Sequence, residues 1–529
     1  MARVAADPTR LTVREASFAL LRSFGLSTVF GNPGSTELPM FRDFPADFRY
    51  VLGLQESVVV AIADGYAQAS GRAALVNLHS AIGVGHALGS IFTAFRNQSP
   101  LLITAGQQAR SILPFEPFLY SEQAANLPKP YVKWSCEPAR PEDVPAALAR
   151  AYYTAMQTPR GPTFVSIPVD DWDRSALALA PREVSRAQAP DPALLESAAS
   201  ALNAARRPVI VVGPALSRDG AWTETIALAE RHQAPVWASP RSSRNSFPER
   251  HRLFAGFLPP DRASIVARLQ GADLILVLGA PVFTYHVEGH GPHIPIDATL
   301  IQLTDDPGAA AWAPVGTSIV GGVRLGVAAL LARSAPTSRQ TPSEARRAAT
   351  PSAGALTEAW LMHRIAELRP ADSIIVEEAP SSRQAMQDHL PMLAADSFYT
   401  CASGGLGHGL PAAVGVALAR PERRVIALIG DGSSMYSIQG LWSAAELAVP
   451  MTFIIVNNHS YQALVEFGEH FQLSHLPGTQ LPHLDYCGLA RSQGVAARRV
   501  ERHEELDAAL RAAFSAAQPT LVEVCVVRP

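Results

Sequence analysis

The sequence predicts an α/β protein made of three parallel-sheet domains, and three observations point to this fold class. The chain has 529 residues, and at roughly 100–200 residues per domain this length predicts three or four domains. Short apolar runs rich in β-branched residues alternate with helical patterns, as is typical of parallel sheets buried on both faces. Residues 180–200 and 333–355 are rich in Pro, Ser, Ala and Arg, so we interpret them as linkers.

The linkers divide the chain into an N-terminal domain over residues 1–182, a middle domain over residues 190–335 and a C-terminal domain over residues 355–529. An amphipathic helix over residues 12–24, ended by Gly25, opens the first domain. The predicted strands are STVFG, RYVLGL, AALVNL, PLLITAG and TFVSIPV in the first third, PVIVVG, APVWAS, LILVLGA and LIQLT in the middle third, and SIIVEE, RVIALIG, MTFIIVNN and TLVEVCVV in the last third. Ligands of parallel sheets bind beyond the carboxyl ends of the strands, so the residues after each run are candidates for function.

Charge and hydropathy exclude several kinds of partner. The formal net charge is −3, so no broad basic face is expected for a nucleic acid or an anionic membrane. The longest apolar runs are far shorter than the roughly 18 residues that a membrane helix needs. The N-terminal residues contain no apolar stretch of a signal peptide. We therefore expect a soluble cytoplasmic protein.

The rarity of lysine excludes two classes of enzyme. Lysine occurs only at Lys129 and Lys133, within a proline-punctuated stretch. A pyridoxal phosphate enzyme needs a lysine for its Schiff base, and a phosphate-loop nucleotide hydrolase needs the motif G-x-x-x-x-G-K-[ST], which is absent. The four cysteines form no C-x-x-C pair, so neither a zinc site nor a disulfide framework is predicted.

The strongest motif lies in the last third, where the strand RVIALI runs into Gly430-Asp431-Gly432. A helical pattern and the strand MTFIIV follow, and Asn457-Asn458 ends that strand, 27 positions after Asp431. This spacing suffices for one βαβ crossover. Adjacent parallel strands would bring a carboxylate and an amide oxygen together, and such hard ligands suit Mg²⁺ that holds a diphosphate. A plain turn at the GDG tripeptide is the alternative.

A second glycine motif, Gly407-His-Gly409-Leu-Pro-Ala412, matches G-x-G-x-x-A. A dinucleotide fingerprint should open a helix directly after a strand, with an acidic residue about 20 positions further on. Here the glycines begin earlier, at Gly404-Gly405, and a proline lies inside the motif. A close-packed glycine turn that enters a helix is therefore favoured over a nicotinamide site.

Four further candidates follow strands of the first and middle thirds. Ser35 ends the loop GNPGS after STVFG, Glu56 opens a helix after RYVLGLQ, His79 follows AALVNL, and His286 follows LILVLGAPVFTY. Each has a simpler interpretation, since a glutamate at a helix N-terminus stabilises the helix and a single histidine is more often a core or surface residue. The residues alone leave these alternatives open.

Together these residues resemble the thiamine diphosphate-dependent enzymes of the pyruvate decarboxylase/acetohydroxyacid synthase superfamily, whose cofactor signature is GDG…NN. Within it the chain is most similar to the benzoylformate decarboxylases, over nearly its whole length. The stretches that carry the similarity are FGNPGSTELPMFRDFPADFRYVLGLQES, ADGYAQASG, VNLHSAIGVGHALGS, AANLPKPYVKWS, GAPVFTYH, CASGGLGHGLPAAVGVALA and GDGSSMYSIQGLW.

The resemblance implies a pyrimidine-binding N-terminal domain, a middle domain and a diphosphate-binding C-terminal domain. Thiamine diphosphate would lie between the first domain of one subunit and the last domain of another, which implies a homodimer as the smallest active unit and a homotetramer as the usual assembly. Mg²⁺ would be bound by Asp431, Asn458 and the backbone carbonyl of Ser460. The residues that would contact the cofactor are Glu56, Ser381, Gly404, Leu406, Gly432, Ser433 and Asn458.

The implied reaction is the non-oxidative decarboxylation of a 2-oxo acid, most closely benzoylformate to benzaldehyde, with side carboligation of aldehydes. Glu56 would hydrogen-bond the pyrimidine ring, and a site drier than water would favour its protonated form. Ser35 would hold the substrate carboxylate, while His79 and His286 would relay protons. The alternatives are a synthase that joins two 2-oxo acids and a non-catalytic paralogue that binds thiamine diphosphate. The two histidines favour aldehyde release, and all four residues together favour catalysis.

The resemblance places the substrate pocket at Thr400, Ala463, Leu464 and Phe467, with departures from the family pattern. Thr400 stands where an aromatic residue is expected, Pro380 replaces a threonine, and VEF around Phe467 replaces Arg-Trp-Phe. The aromatic loop LPFEPFLYS and Phe467 together offer an apolar wall suited to an aryl ring. We therefore expect benzoylformate to be preferred over pyruvate.

Overall fold

The computed structural model describes residues 10–335, 339, 348–473 and 475–527. Within them lie three six-stranded sheets, one in each third of the chain, and every strand pair of these sheets is parallel. This confirms the predicted α/β fold with three parallel-sheet domains. Residues 336–338 and 340–347 of the predicted linker at residues 333–355 lie outside the described residues. In the described part of the chain, no helix is both long and apolar enough to cross a membrane.

The N-terminal domain contains one parallel sheet and a small antiparallel pair. Its strands are β1 (Arg10–Thr12), β2 (Thr28–Gly31), β3 (Arg49–Leu52), β4 (Ala74–Leu78), β5 (Leu101–Gln107), β6 (Ser135–Cys136), β7 (Thr163–Pro168) and β8 (Ser175–Leu177). Its helices are α1 (Val13–Ser23), α2 (Glu56–Ser70), α3 (Ser80–Asn97) and α4 (Val144–Met156), with 3₁₀ turns at Leu38–Phe41, Leu113–Phe115, Ala124–Asn126 and Pro141–Asp143. The sheet order is β3-β2-β4-β5-β7-β6, and β1 pairs with β8. Thr12 caps α1 and Gly25 follows its end, close to the predicted bounds.

The middle domain is a second parallel sheet with the strand order β11-β10-β9-β12-β13-β14. Its strands are β9 (Pro208–Val212), β10 (Val236–Ala238), β11 (Phe254–Phe257), β12 (Leu274–Leu278), β13 (Thr299–Thr304) and β14 (Thr317–Val320). Its helices are α5 (Pro192–Ala204), α6 (Pro214–Arg218), α7 (Trp222–His232), α8 (Arg262–Arg268), α9 (Pro307–Ala311) and α10 (Val323–Arg333).

The C-terminal domain is the third parallel sheet, with the strand order β16-β15-β17-β18-β20-β19. Its strands are β15 (Ile374–Glu378), β16 (Phe398–Thr400), β17 (Val425–Gly430), β18 (Met451–Asn457), β19 (Ala496–Val500) and β20 (Thr520–Cys525). Its helices are α11 (Glu358–Leu368), α12 (Arg383–His389), α13 (Gly409–Ala419), α14 (Asp431–Ser434), α15 (Gly440–Glu446), α16 (Gln462–His470), α17 (Tyr486–Ser492) and α18 (His503–Ser515), with a 3₁₀ turn at Pro380–Ser382.

The first and last domains share one strand topology. Counted within each sheet, both have the order 2-1-3-4-6-5, whereas the middle sheet has the order 3-2-1-4-5-6. In the two matching sheets the order reverses between the first and third strands, which are β2 and β4 in one and β15 and β17 in the other. Open α/β sheets bind ligands in the crevice at such a reversal point. The loops after these four strands are therefore the first places to look for a site.

The predicted linker at residues 180–200 is too long. Helix α5 begins inside it at Pro192, with Asp191 as the N-cap residue that accepts the first N–H groups. The Ala- and Ser-rich composition of this stretch is typical of a linker, but Leu195 and Ala198 are buried in the core of the middle domain. Only residues up to the N-cap therefore connect the two domains.

Helices α2 and α13 pack the N-terminal domain against the C-terminal domain. A Cβ atom on Gly65 would lie 2.0 Å from the carbonyl oxygen of Ala412, and one on Gly415 would lie 1.9 Å from that of Ile62. Glycine at both positions lets the two backbones cross almost in contact. One continuous apolar core extends through both domains around this crossing.

A buried polar network crosses the same contact. The carboxylate of Asp64 on α2 accepts hydrogen bonds from Gln68 and Asn97, and Nε2 of His408 lies 3.2 Å away. The side chain of Asn97 in turn accepts the backbone N–H of Ala402. Because buried polar groups are costly unless paired, these bonds fix the loop ahead of α13 relative to the N-terminal domain.

Candidate active site

His79 is held by a buried carboxylate. It lies directly after β4, at the N-cap position of α3. Its Nδ1 lies 2.9 Å from Oε2 of Glu37, whose side chain is 1% exposed. The Glu37 carboxylate also accepts the backbone N–H groups of Gly34 and Gly106, at 2.9 and 2.8 Å. Since Nδ1 is engaged, Nε2 is the nitrogen that can exchange a proton with a ligand.

Ser35 lies in the loop after β2, which runs next to His79. A Cβ atom on Gly34 would lie 2.0 Å from Nδ1 of His79, so only glycine allows the loop to approach the ring this closely. Ser35 itself is exposed. The structure thus brings Ser35 and His79 to the same edge of the first sheet, at its reversal point.

An aromatic loop borders the same edge. The hydroxyl of Ser80 donates to the carbonyl oxygen of Leu119 at 2.9 Å, which holds the loop beside His79. Phe115 and Phe118 of this loop are 79% and 88% exposed. Exposed aromatic side chains of this size are unusual unless another molecule covers them. Within one chain they therefore form no closed wall for a substrate.

Glu56 begins α2, and its carboxyl group is mostly buried. Its Oε2 lies 3.1 Å from Nδ1 of His86, a half-exposed residue of α3. A Cβ atom on Gly83 would lie 3.0 Å from its Oε1, so the first turn of α3 passes close to the carboxyl group. The side chain that caps α2 is Gln55, which accepts the first N–H groups of the helix. Glu56 is therefore not required as the cap of α2.

Asp431 and Asn458 meet at the carboxyl ends of β17 and β18. Gly430 pairs with Val456 in these adjacent parallel strands. The Oδ2 atom of Asp431 accepts the backbone N–H groups of Asn458 and Ser460, both at 3.2 Å. Burial raises the pKa of Asp431, while the hydrogen bonds from these backbone groups oppose the rise. A carboxylate, a side-chain amide and two backbone N–H groups are thus gathered in one buried turn.

A further carboxyl group, Glu358, interacts with this turn, and Glu466 acts on Glu358. Burial raises the pKa of Glu358, and the charges of Glu466 and Asp431 raise it further. The described part of the chain contains no group of three or more His, Cys, Asp or Glu side chains that could hold a metal ion. A cation at Asp431 would therefore depend on amide and backbone oxygens as well. Such hard oxygen donors, in a region of excess negative charge, fit Mg²⁺.

The sequence-predicted diphosphate residues surround the same turn. Gly432 and Ser433 are buried on α14, at the end of β17. A Cβ atom on Gly432 would lie 2.4 Å from the ring of Tyr461, so this position is tightly packed. The Oγ atom of Ser381 lies 3.5 Å from Nδ2 of Asn458. The loops after β15, β17 and β18 thus converge at the reversal point of the third sheet.

The glycine turn ahead of α13 holds an internal carboxylate. Glu378, at the end of β15, accepts the backbone N–H groups of Gly407, His408 and Gly409. Burial raises the pKa of Glu378 to about 7, although these three hydrogen bonds act against the rise. The amides that would cradle a pyrophosphate in a dinucleotide site are therefore occupied. This argues against the nicotinamide interpretation of G-x-G-x-x-A.

His286 and Phe467 meet from different domains. Their ring centroids are 4.9 Å apart in an edge-to-face arrangement. The backbone N–H of His286 donates to the carbonyl oxygen of Pro260 at 2.9 Å. Burial lowers the pKa of His286, and the positive charge of Arg241 lowers it further. The histidine is thus held next to an aromatic ring in a cationic region.

The predicted pocket residues lie in two different environments. Ala463, Leu464 and Phe467 all lie on α16, and Leu464 is half exposed. Thr400 is buried at the end of β16, and its hydroxyl accepts a hydrogen bond from Nη2 of Arg383 at 3.0 Å. The position that is aromatic in the family pattern therefore carries a polar contact here.

The predicted cofactor residues form two groups at opposite ends of α3. Glu56 lies beside the first turn of this helix, whereas Thr93, near its other end, lies 2.8 Å from the hydroxyl of Ser403. Gly404 and Leu406 lie one and three positions after Ser403. About ten helical residues separate the two ends, which is a rise of about 15 Å. One chain therefore cannot bring Glu56 and Gly404 to the same pyrimidine ring.

Several residues of the site were not found from the sequence. Four residues contact the predicted residues or influence them electrostatically, although each is distant in the sequence from its partner: Glu37, His86, Glu358 and Glu378. Glu37 had a local signal, because it lies two residues after Ser35 in a loop that follows a strand. The others are recognisable only from side-chain contacts.

Family models of thiamine pyrophosphate enzymes match all three domains. The N-terminal TPP binding domain matches residues 11–125, the central domain matches residues 195–330, and the C-terminal TPP binding domain matches residues 381–524. The matches cover most of the chain and follow the order of its three sheets.

Proteins of known sequence and structure are similar over almost the full length. A benzoylformate decarboxylase of Pseudomonas aeruginosa is 47% identical over 519 residues, which cover 97% of this chain and 98% of that protein. The structure of a thiamine diphosphate-dependent 4-hydroxybenzoylformate decarboxylase of Rhodococcus jostii matches with a TM-score of 0.96 and 42% identity, covering 98% of this chain and 100% of that one. A benzoylformate decarboxylase structure from Polynucleobacter necessarius matches with a TM-score of 0.94 and 41% identity, covering 98% and 99% of the two chains.

Proposed function

The chain belongs to the thiamine pyrophosphate enzyme family, and from this premise we propose that it is a thiamine diphosphate- and Mg²⁺-dependent decarboxylase of aryl 2-oxo acids. Its substrate would be benzoylformate or a ring-substituted relative, and its products an aryl aldehyde and CO₂. The observation that carries this proposal is the pair of matching sheets. His79 and Ser35 lie near the point at which the strand order reverses in the N-terminal sheet. Asp431 and Asn458 lie near the corresponding point of the C-terminal sheet. The substrates named for the relatives from Pseudomonas and Rhodococcus support the aryl class.

The C-terminal group of residues fits the diphosphate end of the cofactor. Asp431, Asn458 and the carbonyl of Ser460 would hold Mg²⁺, and Gly432 and Ser433 would lie against the diphosphate. Bound thiamine diphosphate supplies the carbon nucleophile and the electron sink for decarboxylation. The protein's own contribution is to bind, orient and protonate.

Ser35 and His79 of the N-terminal domain, with His286 of the middle domain, fit the substrate and the proton transfers. The Ser35 hydroxyl would hold the carboxylate of the 2-oxo acid. His79, oriented by Glu37, would exchange a proton with the substrate's carbonyl oxygen through Nε2. His286 would deliver a proton to the carbon that has lost CO₂, and Phe467 would pack against the aryl ring.

A homodimer would complete the site. Because α3 separates Glu56 from Gly404 within one chain, a second copy must supply one of the two groups. The exposed Phe115 and Phe118 support this assembly, since they border the same edge as His79 and need a cover. A tetramer, side carboligation of aldehydes and a cytoplasmic location stay predictions from the sequence.

A panel of 2-oxo acids tests the proposed function. Purified protein with thiamine diphosphate and Mg²⁺ should release CO₂ and aldehyde from benzoylformate, with a much lower kcat/KM for pyruvate and for a branched-chain acid. Omission of the cofactor and chelation of the metal are the controls. A higher kcat/KM for pyruvate would contradict the aryl assignment, and absence of CO₂ release from every acid would contradict the decarboxylase.

A further inference from the structure

A cavity of about 320 Å³ lies between the middle and C-terminal domains, next to the candidate active site. Ser381 and Pro260 line it, and so does Glu466, the sequence neighbour of Phe467. Pro260 is also the residue that accepts the backbone N–H of His286. The cavity therefore lies next to the place at which His286 meets Phe467.

Positive charge dominates the lining of this cavity. The charged residues that line it are Arg241, Arg244, Arg268, Arg383, Glu249 and Glu466. Two of the arginines are engaged elsewhere, since Arg244 lies over the ring of Tyr399 and Arg268 over that of Trp237. The other two are Arg241, which follows β10 of the middle domain, and Arg383, which begins α12 of the C-terminal domain.

Arg383 and Arg241 share a single carboxylate. Arg383 forms an ion pair with Glu377 and donates to the hydroxyl of Thr400. Among the described residues, Arg241 has no hydrogen bond from its guanidinium and no carboxylate within ion-pair distance, and Glu377 acts on it only from further away. Burial and the charge of Arg383 lower the pKa of Arg241. Arg241 therefore has no ion-pair partner among these residues, and it is exposed to solvent within one chain.

The backbone also marks Arg241 as a special position. Its φ angle is +55°, in the left-handed region that residues with a side chain adopt at a cost. Such conformations tend to persist where they orient a functional group. Here the conformation presents a guanidinium to a cavity that borders the predicted cofactor residue Ser381 and the histidine His286.

We infer that Arg241 and Arg383 form an anion-binding end of the substrate pocket, so that the preferred substrate is an aryl 2-oxo acid with a second carboxylate on its ring. The inference rests on the proposed function and deepens it. A planar guanidinium binds a carboxylate through two parallel N–H···O bonds. Thr400 supports this arrangement, because it replaces an aromatic residue of the family pattern and holds Arg383 in place.

Matched substrates measure this preference. We would compare kcat/KM for benzoylformate carrying a ring carboxylate with kcat/KM for the corresponding carboxamide, in both the meta and para series. The wild-type enzyme should favour the carboxylate, and Arg241→Gln should lower the carboxylate-to-carboxamide ratio by roughly 10- to 100-fold. Arg241→Lys keeps the charge and should retain part of the preference. Arg250→Gln, which removes an exposed arginine outside the cavity, should leave the ratio unchanged.

A direct binding measurement separates this inference from the proposed function. Calorimetry of the holoenzyme with terephthalate and with benzoate should show tighter binding of the dicarboxylate, and Arg241→Gln should abolish the difference. If benzoylformate is decarboxylated but neither the ratio nor the binding difference depends on Arg241 or Arg383, the anion site is wrong and the decarboxylase stands. If no 2-oxo acid is decarboxylated while terephthalate binding depends on Arg241, the anion site stands and the proposed function fails.

Discussion

At the scale of the residue, His79 takes its orientation from Glu37. The buried carboxylate is held by two backbone N–H groups and by Nδ1 of the imidazole. A carboxylate in this position fixes the orientation and the tautomer of the ring, as the carboxylate does in a Ser-His-Asp triad. We therefore propose that Glu37 is a positioning residue, which would act on the substrate through the histidine.

Substitution of Glu37 tests this role. Glu37→Gln should lower kcat by roughly 10²-fold or more and alter the pH dependence of kcat, since an amide can donate to Nδ1 and so no longer fixes the tautomer of the ring. The KM for benzoylformate should change little. Glu142→Gln, an exposed glutamate of the same domain, is the matched control. An unchanged pH profile in a folded Glu37→Gln enzyme would leave Glu37 with a purely structural role.

Asp431 is the charged member of the proposed Mg²⁺ site. Asp431→Ala should raise the apparent Kd for thiamine diphosphate by about 100-fold or more in the presence of Mg²⁺, because the ion loses its charged ligand. Isothermal titration of the purified proteins measures this directly. Asp485→Ala removes an exposed carboxylate of the same domain and should leave the affinity unaltered. Wild-type affinity in Asp431→Ala would mean that the GDG tripeptide forms only a turn.

The sequence predicts the site residues that directly follow strands. It does not predict the residues that contact these side chains from distant parts of the chain. Asp431 and Asn458 were accessible because both end apolar runs, and adjacent parallel strands bring such ends together. Glu378 also ends a strand, yet its role depends on amides 29 to 31 positions away. No periodicity in the sequence encodes that contact.

At the scale of the element, the turn ahead of α13 is organised by Glu378. Burial raises the pKa of Glu378 in the folded protein from 4.5 to about 7. Between pH 4.5 and pH 7, Glu378 is therefore protonated in the folded protein but ionised in the unfolded chain. The contribution of Glu378 to stability is therefore greatest below about pH 4.5 and is lost as the pH rises through 7. The free energy of unfolding that is lost over this pH range is on the order of 3 kcal/mol.

Glu378→Gln tests the pH dependence of this turn. Glutamine stays neutral, so the wild type should lose thermal stability relative to the variant as the pH rises from 5 to 8. Melting temperatures of both proteins across this range provide the measurement. A constant difference in Tm would show that the ionisation of Glu378 is not coupled to folding.

The elements themselves divide into those that the sequence predicts and those that it misses. Every interior strand of the three sheets corresponds to a predicted apolar run, because a strand with neighbours on both sides and helices on both faces must be apolar throughout. The missed strands of the parallel sheets lie at their edges: β6, β11, β14, β16 and β19. Strand β19, for example, reads AARRV and is mostly exposed. An edge strand needs less burial, so its sequence carries less signal.

At the scale of the whole molecule, the close crossing of α2 and α13 determines where the two halves of the site lie. The crossing at Gly65 and Gly415 fixes the first and last domains of one chain together. With that contact in place, Glu56 and Gly404 lie at opposite ends of α3. That two chains form each site was expected only from the family resemblance. No pattern within one sequence indicates whether the residues of a site come from the same chain or from two copies.

The central claim of this account is that Glu56 of one chain and Asp431 of another serve one catalytic site. Complementation tests it directly. Glu56→Gln and Asp431→Ala should each be nearly inactive alone, and after unfolding and refolding together each mixed dimer should contain one intact site. Random pairing predicts recovery of about a quarter of the wild-type rate of benzoylformate decarboxylation. A mixture as inactive as its two components, despite mixed dimers being detected by mass spectrometry, would contradict the claim.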